Sequence, residues 1–273
     1  MRNLLRRVLD RLELVVGVFR VAAGPRAALR AITAAAAAMG SGGSREPVLI
    51  PMRALNGEPL SIRPGTSDLS SAAAYYSKRI YMPAPEINPS GAIVELGTNC
   101  GVALTALGVA FPAARLLGVE PDAGNAAAAG VNTERFGERC EIVCSAIWPE
   151  TTELVVVPSA EHGDHGITVR PAESGDDPGW ERLAAITVDE LLDRHLPEPV
   201  PVDYMHVSIE GSEPRVFAAG GRWPERVRSL RVEVHPYFGW GQSDCIAQLE
   251  GLGYRAWPAP DPPDKWVFAV RGA

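Results

Sequence analysis

The order of apolar runs along this 273-residue chain predicts a doubly wound α/β fold. Its sheet is mostly parallel with an antiparallel C-terminal strand, and helices precede it. Three observations carry this expectation. From Gly91 onward, short runs rich in Val, Ile and Leu alternate with stretches of helical period, the pattern of a parallel sheet with crossover helices. The first run ends in a turn bracketed by Gly97 and Gly101, where such folds take ligands. The last two apolar runs lie too close for a helical crossover, so they pair antiparallel.

At the N-terminus, Leu5, Val8, Leu9, Leu12, Val15, Val16 and Phe19 recur at helical spacing as one apolar stripe. Gly24-Pro25 breaks that helix, and Pro25 suits the first turn of a second one running to Met39. Residues 1–30 hold seven Arg against Asp10 and Glu13, a balance of +5, whereas the remaining chain carries -12. Asp10, Arg11 and Glu13 interrupt any signal-peptide core, and the apolar stretch from Leu14 to Phe19 is far shorter than the ~20 residues that span a bilayer. Two readings stay open: a helical pair packed on the main domain or a second subunit, and an amphipathic anchor on an anionic membrane surface. Gly40 to Ser44 reads as a flexible linker. The expected domains are therefore a helical extension at 1–40, a lead-in at 41–90 and a ligand-binding domain at 91–273.

Within the lead-in, Val48-Leu49-Ile50 and Leu60-Ser61-Ile62 read as strands around the Asn56-Gly57 turn, and 70–81 as a helix. In the main domain, 92–96, 116–120 and 141–145 read as strands, with 102–111 and 123–136 as helices. Residues 152–157 and 166–169 look like an inserted hairpin before a Gly/Asp/Pro-rich loop. A helix at 188–195, strand at 203–209, helix at 213–219 and strand at 230–235 follow. Residues 243–252 lead to the final strands at 254–257 and 265–270.

Net charge of -7 and a hydrophobic share of 46% mark an ordinary globular chain and argue against a nucleic-acid binder. Four cysteines are too sparse for a disulfide framework, so a reduced, cytoplasmic protein is expected. Cys140 and Cys144, if helical, would share a face, but one pair is a weak zinc signal. The histidines of Glu161-His162-Gly163-Asp164-His165 are spaced plausibly for a metal, yet a Gly-rich loop there suits a substrate cover better. No metal ligand is assigned, and a divalent metal held by histidines and carboxylates of two strands is the lesser alternative to a metal-free base.

The turn after the first strand has the spacing G-x-x-x-G, with Asn99 where a dinucleotide fold would place a glycine, which disfavours NAD. Glu95 and Glu120 close consecutive strands. The first suits an ammonium group and the second the two hydroxyls of a ribose; alternatively, both cap the helices that follow. As a pair they favour a nucleoside joined to an amino acid, which is S-adenosylmethionine.

Further along, Met205, Val207 and Ile209 alternate with His206, Ser208 and Glu210, and Leu230, Val232 and Val234 with Arg231, Glu233 and His235. Central parallel strands usually read as continuous apolar runs. Two neighbouring polar faces therefore suggest a lined cavity, in preference to an exposed sheet face or structural ion pairs. His206 or His235 would be a general base, with Glu210 or Glu233 to orient it.

These residues resemble the FkbM family of S-adenosylmethionine-dependent methyltransferases from about Arg63 to about His235. The likeness lies in Gly65-Thr66-Ser67-Asp68, the Val94–Gly101 turn, Glu120-Pro121, Ser145-Ala146, Ile186–Leu192, Ile209-Glu210-Gly211-Ser212-Glu213 and Ala219-Gly220. The resemblance implies a Rossmann-like class I methyltransferase fold and methylation of a hydroxyl on a sugar, polyketide-like or lipid-linked small molecule. It places Glu95, Gly97, Asn99, Gly101, Glu120, Ser145 and Ala146 at the cofactor. The family usually has Lys at His206 and Asp at Ser208. Those departures motivate a rival reading, a catalytically silent binding or scaffold protein. A homo-oligomer is compatible with either.

Overall fold

A computed structural model describes residues 2–38, 44–156, 169–197, 199–260 and 264–272, with only the backbone described for residues 2–11 and Phe238. The chain forms two compact units, 1–81 and 82–273.

The first unit begins with α1 (Arg2–Val21) and α2 (Pro25–Ala38), continues through β1 (Val48–Pro51) and β2 (Pro59–Ile62), and ends with α3 (Asp68–Lys78). The expected hairpin forms in antiparallel register, Val48 opposite Ile62. Asn56 and Gly57 adopt the positive φ that such a turn requires. Val18, Val21, Ala22, Ala28 and Ala31 are buried with Ile50, Met52 and Leu60, and Ala22 bridges to Met52. Gly17 lets α1 approach α3, since a Cβ there would lie 3.2 Å from the Ala73 methyl. The helical extension is therefore not a separate domain: its buried residues complete a core with the lead-in, and the compact boundary falls at Tyr81 instead of Gly40.

The second unit is built on β3 (Ala92–Leu96), α4 (Val102–Ala110), β4 (Arg115–Glu120), α5 (Ala123–Thr133) and β5 (Cys140–Cys144). A side sheet and α6 follow: β6 (Ala146–Ile147), β7 (Thr152–Val156), β8 (Val169–Pro171), β9 (Arg182–Ile186) and α6 (Val188–His195). The chain then returns through β10 (Val202–Val207), α7 (Glu213–Ala219), α8 (Trp223–Arg226), β11 (Ser229–Glu233), α9 (Gln242–Gly251), β12 (Tyr254–Pro258) and β13 (Trp266–Arg271).

The seven-stranded order is β12-β13-β11-β10-β3-β4-β5. β10 is parallel to β3 and β11, β3 to β4, and β4 to β5. β13 enters antiparallel between β11 and β12. This is a doubly wound, Rossmann-like arrangement, with chain reversal between β3 and β10. Local signals start the helices. Asp122 accepts a 2.6 Å bond from the Asn125 backbone at the head of α5, and Thr187 one of 3.1 Å from Glu190 at the head of α6.

One face of the sheet is apolar. Ala92, Val94, Leu96, Met205, Val207, Leu230, Val232, Val267 and Ala269 join Leu191, Leu192, Val216, Phe217, Trp223 and Leu249 from the helices in one core. Each large side chain removed from water in this layer contributes roughly 1.5–3 kcal/mol.

One expectation is corrected. Residues 152–156 do not form a lone hairpin: they pair with β8 and, in antiparallel register, with β9, in a separate sheet ordered β6-β9-β7-β8. The strand at 182–186 was missed because Arg182-Leu-Ala-Ala-Ile is short and weak in β-branched residues. Cys140 and Cys144 occupy a strand, where a rise of roughly 3.3 Å per residue keeps the two positions about 13 Å apart, too far to share a metal. The Glu161–His165 segment lies outside the described residues.

Candidate active site

The turn after β3 is shaped by close backbone packing. Gly97 has φ +83, and a Cβ there would sit 1.9 Å from the Ser208 carbonyl oxygen at the end of β10. Gly101, with φ +81, presses α4 onto α5: a Cβ would lie 3.0 Å from Ala129 Cα. The G-x-x-x-G spacing therefore reflects first of all the meeting of the turn with its neighbours. Backbone N–H groups of Gly97 and Thr98 both donate to Val119 O, tying the turn to β4.

The two expected cofactor carboxylates have different surroundings. Glu120, buried at the end of β4, accepts 2.8 Å and 3.0 Å bonds from the backbone of Asn99 and Asp122. Burial still pushes its carboxyl above the ordinary range, so further donors there would be favourable. Glu95 is turned inward instead. Its Oε2 accepts from the Thr98 hydroxyl at 2.6 Å, and its Oε1 lies 3.2 Å from His206 Nδ1. Both oxygens thus face protein groups inside the sheet, which corrects the expectation of an ammonium ligand.

Ser145 and Ala146 also serve the scaffold. The Ser145 hydroxyl lies 3.0 Å from the Ala184 carbonyl, and Ala146 packs with Trp148, Leu154, Leu183 and Ala185 beneath the side sheet. The Ser145 N–H donates to Glu120 O, so the pair positions the strand end beside Glu120.

The two histidines part company. His206 is fully buried opposite Glu95 and Arg231 in register, its ring stacked on Trp266 at 5.2 Å. Arg231 lies over the Trp266 and Phe268 rings and donates to Met82 O. Mid-strand, the polar face is a closed layer of aromatic, ion-pair and hydrogen-bond contacts. The lined-cavity expectation is corrected there: His206 packs inside the sheet, away from solvent.

At the carboxyl ends of β10 and β11 the polar residues gather differently. His235 Nδ1 lies 3.3 Å from Glu213 Oε1, and its Nε2 lies 3.5 Å from Glu210 Oε2. Glu213, itself buried, is held by the Ile209 and Gly211 backbone N–H groups at 2.8 Å each. Glu210 takes the left-handed φ of +51 just after β10, and the Tyr237 hydroxyl donates to it. Glu233 accepts from Ser208 Oγ at 2.7 Å and pairs with Lys265 Nζ at 2.6 Å. Ser208 and Lys265 thus occupy both Glu233 oxygens, which sets that carboxylate apart from His235.

Electrostatics follow the geometry. Burial raises the Glu210 carboxyl to about 7. Burial pulls the His235 imidazole down, but Glu213, Glu233 and Glu210 together outweigh it, so its pKa ends above 6.5. Glu213, Tyr237 and Lys265 are members of this cluster that sequence reading did not assign to catalysis. Glu213 was visible as part of the Ile209–Glu213 motif; no local pattern marks Tyr237 or Lys265. Among the described residues no group of three or more His, Cys, Asp or Glu is placed to hold a metal ion.

No protein-family profile matches the chain, and no curated protein does. Solved structures similar to it include a precorrin-6y C5,15-methyltransferase from Geobacter metallireducens, at 11% identity and a TM-score of 0.42, covering 76% of this chain and 90% of that one. The mitomycin 7-O-methyltransferase MmcR is similar at 14% identity and a TM-score of 0.40, covering 75% and 55%. An O-methyltransferase from Bacillus cereus in complex with SAH is similar at 13% identity and a TM-score of 0.38, covering 66% and 74%.

Proposed function

We propose that the chain is an S-adenosylmethionine-dependent O-methyltransferase acting on a hydroxyl of a sugar, polyketide-like or lipid-linked small molecule, akin to the FkbM family. The observation that carries this reading is the His235 imidazole fixed between Glu213 and Glu210 at the carboxyl ends of the same sheet whose β4 ends in Glu120. That is where a doubly wound sheet takes its ligands.

S-adenosylmethionine, when bound, supplies an electrophilic methyl group on a sulfonium. The residues present fit it at Glu120, a buried carboxylate whose pKa is already raised and which two ribose hydroxyls would supply with donors. The backbone of Asn99 and Asp122 orients that carboxylate.

His235 is the proposed base. It takes the proton of the acceptor hydroxyl at Nε2, while Glu213 at Nδ1 holds the ring and stabilises the imidazolium that results. Glu210, with its side chain 34% exposed against 0% for Glu213, is the carboxylate an acceptor meets first. The proximity of two reactants held in line supplies much of the remaining rate.

The test is transfer of labelled methyl to a panel of hydroxylated sugars, lipids and polyketides across pH. Turnover should climb with pH along a limb centred above 6.5, because the base must be neutral and its carboxylate neighbours hold its pKa up. Cofactor binding without transfer to any acceptor would favour the silent scaffold. Failure to bind S-adenosylhomocysteine would exclude both.

A further inference from the structure

Part of the apolar stripe of α1 is left exposed by the first unit. Gly17, Val18 and Val21 turn inward, whereas Leu12, Val16 and Phe19, one turn apart on another side of the helix, are 56%, 47% and 41% exposed. On α2, Leu29 is 54% exposed between the exposed Arg26 and Arg30, and Arg20 is exposed beside Phe19. Five of the seven large apolar side chains that stand exposed among the described residues belong to this unit. Residues 1–81 also hold 12 Lys and Arg against 5 Asp and Glu, a balance of +7, while 82–273 hold 14 against 28, a balance of -14.

We infer that α1 and α2 dock the protein on an anionic lipid surface, with Leu12, Val16, Phe19 and Leu29 entering the headgroup boundary and the arginines meeting lipid phosphates. An amphipathic helix with basic flanks binds in this way. The occupant must offer apolar depth and negative charge together. A second copy joined through the same stripe would set arginine against arginine. The acidic unit of a second copy supplies charge, but its exposed large apolar side chains among the described residues are only Val131 and Tyr237. An anionic bilayer offers both features, and no helix here is long and apolar enough to cross it among the described residues.

The experiment is co-sedimentation of the full chain with vesicles of phosphatidylglycerol and phosphatidylcholine in equal parts, against phosphatidylcholine alone, at about 0.1 M salt. Binding to the mixed vesicles only, released at about 1 M salt, is the expected result. Val16→Gln with Phe19→Gln should weaken it at least ~10-fold by removing apolar insertion. Arg20→Gln, Arg26→Gln and Arg30→Gln together should weaken it on the order of 100-fold. All three substituted arginines and both apolar positions are exposed, so circular dichroism should be unchanged. Absence of binding to the mixed vesicles overturns the inference, as does full binding by the Val16/Phe19 variant. A dimer in sedimentation velocity that this same variant dissolves would assign the stripe to a second copy and likewise overturn it. Cofactor binding by these variants should equal that of wild type, which separates this result from the fate of the proposed activity.

Discussion

His206 and His235 belong to neighbouring strands of one sheet, both buried and both beside a carboxylate, yet they sit at different points along those strands. His206 lies mid-strand, covered by Trp266 and matched with Glu95. His235 lies just past the end of its strand, between a buried carboxylate and a half-exposed one. Position along the strand separates them. Within the sheet every side chain meets neighbours on both flanking strands, whereas beyond the carboxyl ends the loops diverge and leave room for a ligand. The same residue type thus serves packing in one place and, in the other, is the one proposed to take a proton.

The comparison is sharpened most by removing each imidazole in turn. His235→Gln should cut methyl transfer by ~100- to 10,000-fold, the usual loss of a general base, with cofactor affinity by calorimetry unchanged. Full activity in that variant would end the role proposed for the strand ends. His206→Ala should act on stability: it opens a void under Trp266 and strips a buried carboxylate of its partner, at about 2–4 kcal/mol in urea unfolding. Should turnover of the folded fraction collapse in His206→Ala without such destabilisation, the assignment of the two histidines would have to be exchanged.

A parallel contrast holds for the carboxylates of the first two strands. Glu120→Ala should weaken S-adenosylhomocysteine binding by about 1.5–3 kcal/mol through lost charge-assisted bonds. Glu95→Gln, which keeps size and leaves an acceptor for Thr98, should change that affinity far less. Equal losses in the two variants would place Glu95 at the ligand after all.

The smallest expected effect concerns pH. Glu210 has a folded-state pKa of about 7 against an ordinary 4.5, so the folded protein favours its protonated form. Its contribution to stability is present below pH 4.5 and is lost as pH rises through 7. Glu210→Gln should therefore stabilise the protein at pH 8, by about 1 kcal/mol given the partial solvent screening, and change little at pH 4.5. Denaturant melts at the two pH values check both the sign and the size.

Much of this was legible in the residues alone, at the level of elements. The alternation from Gly91, the closely spaced last strands and the turn at Gly97 announce a doubly wound sheet, because hydrophobic period and turn chemistry are local properties. Asp122 and Thr187 mark their helix starts for the same reason. The side sheet was less legible, since Arg182–Ile186 is a strand by virtue of the partners on either side of it. Of the site, the residue types were legible and their grouping was not. Glu210, Glu213 and His235 can be named from two motifs, but Lys265 reaches Glu233 only because β13 inserts beside β11.

By itself the sequence determined the order and kind of elements, the acidic balance of one unit and the basic balance of the other. It also set the alternation that puts polar side chains on one face of β10 and β11. Tertiary structure decided how deep each of them lies. Alternation tells which face a side chain takes, but burial depends on what the neighbouring strands and loops bring over that face. Trp266, sixty residues from His206, covers it. Glu213, fixed by two backbone N–H groups at the strand end, meets His235 from another element. On α1 the same physics applies: the period left packing and a surface role both open, and Gly17 lets the side that carries Val18 and Val21 pack inward near Ala73 while Leu12, Val16 and Phe19 stay exposed.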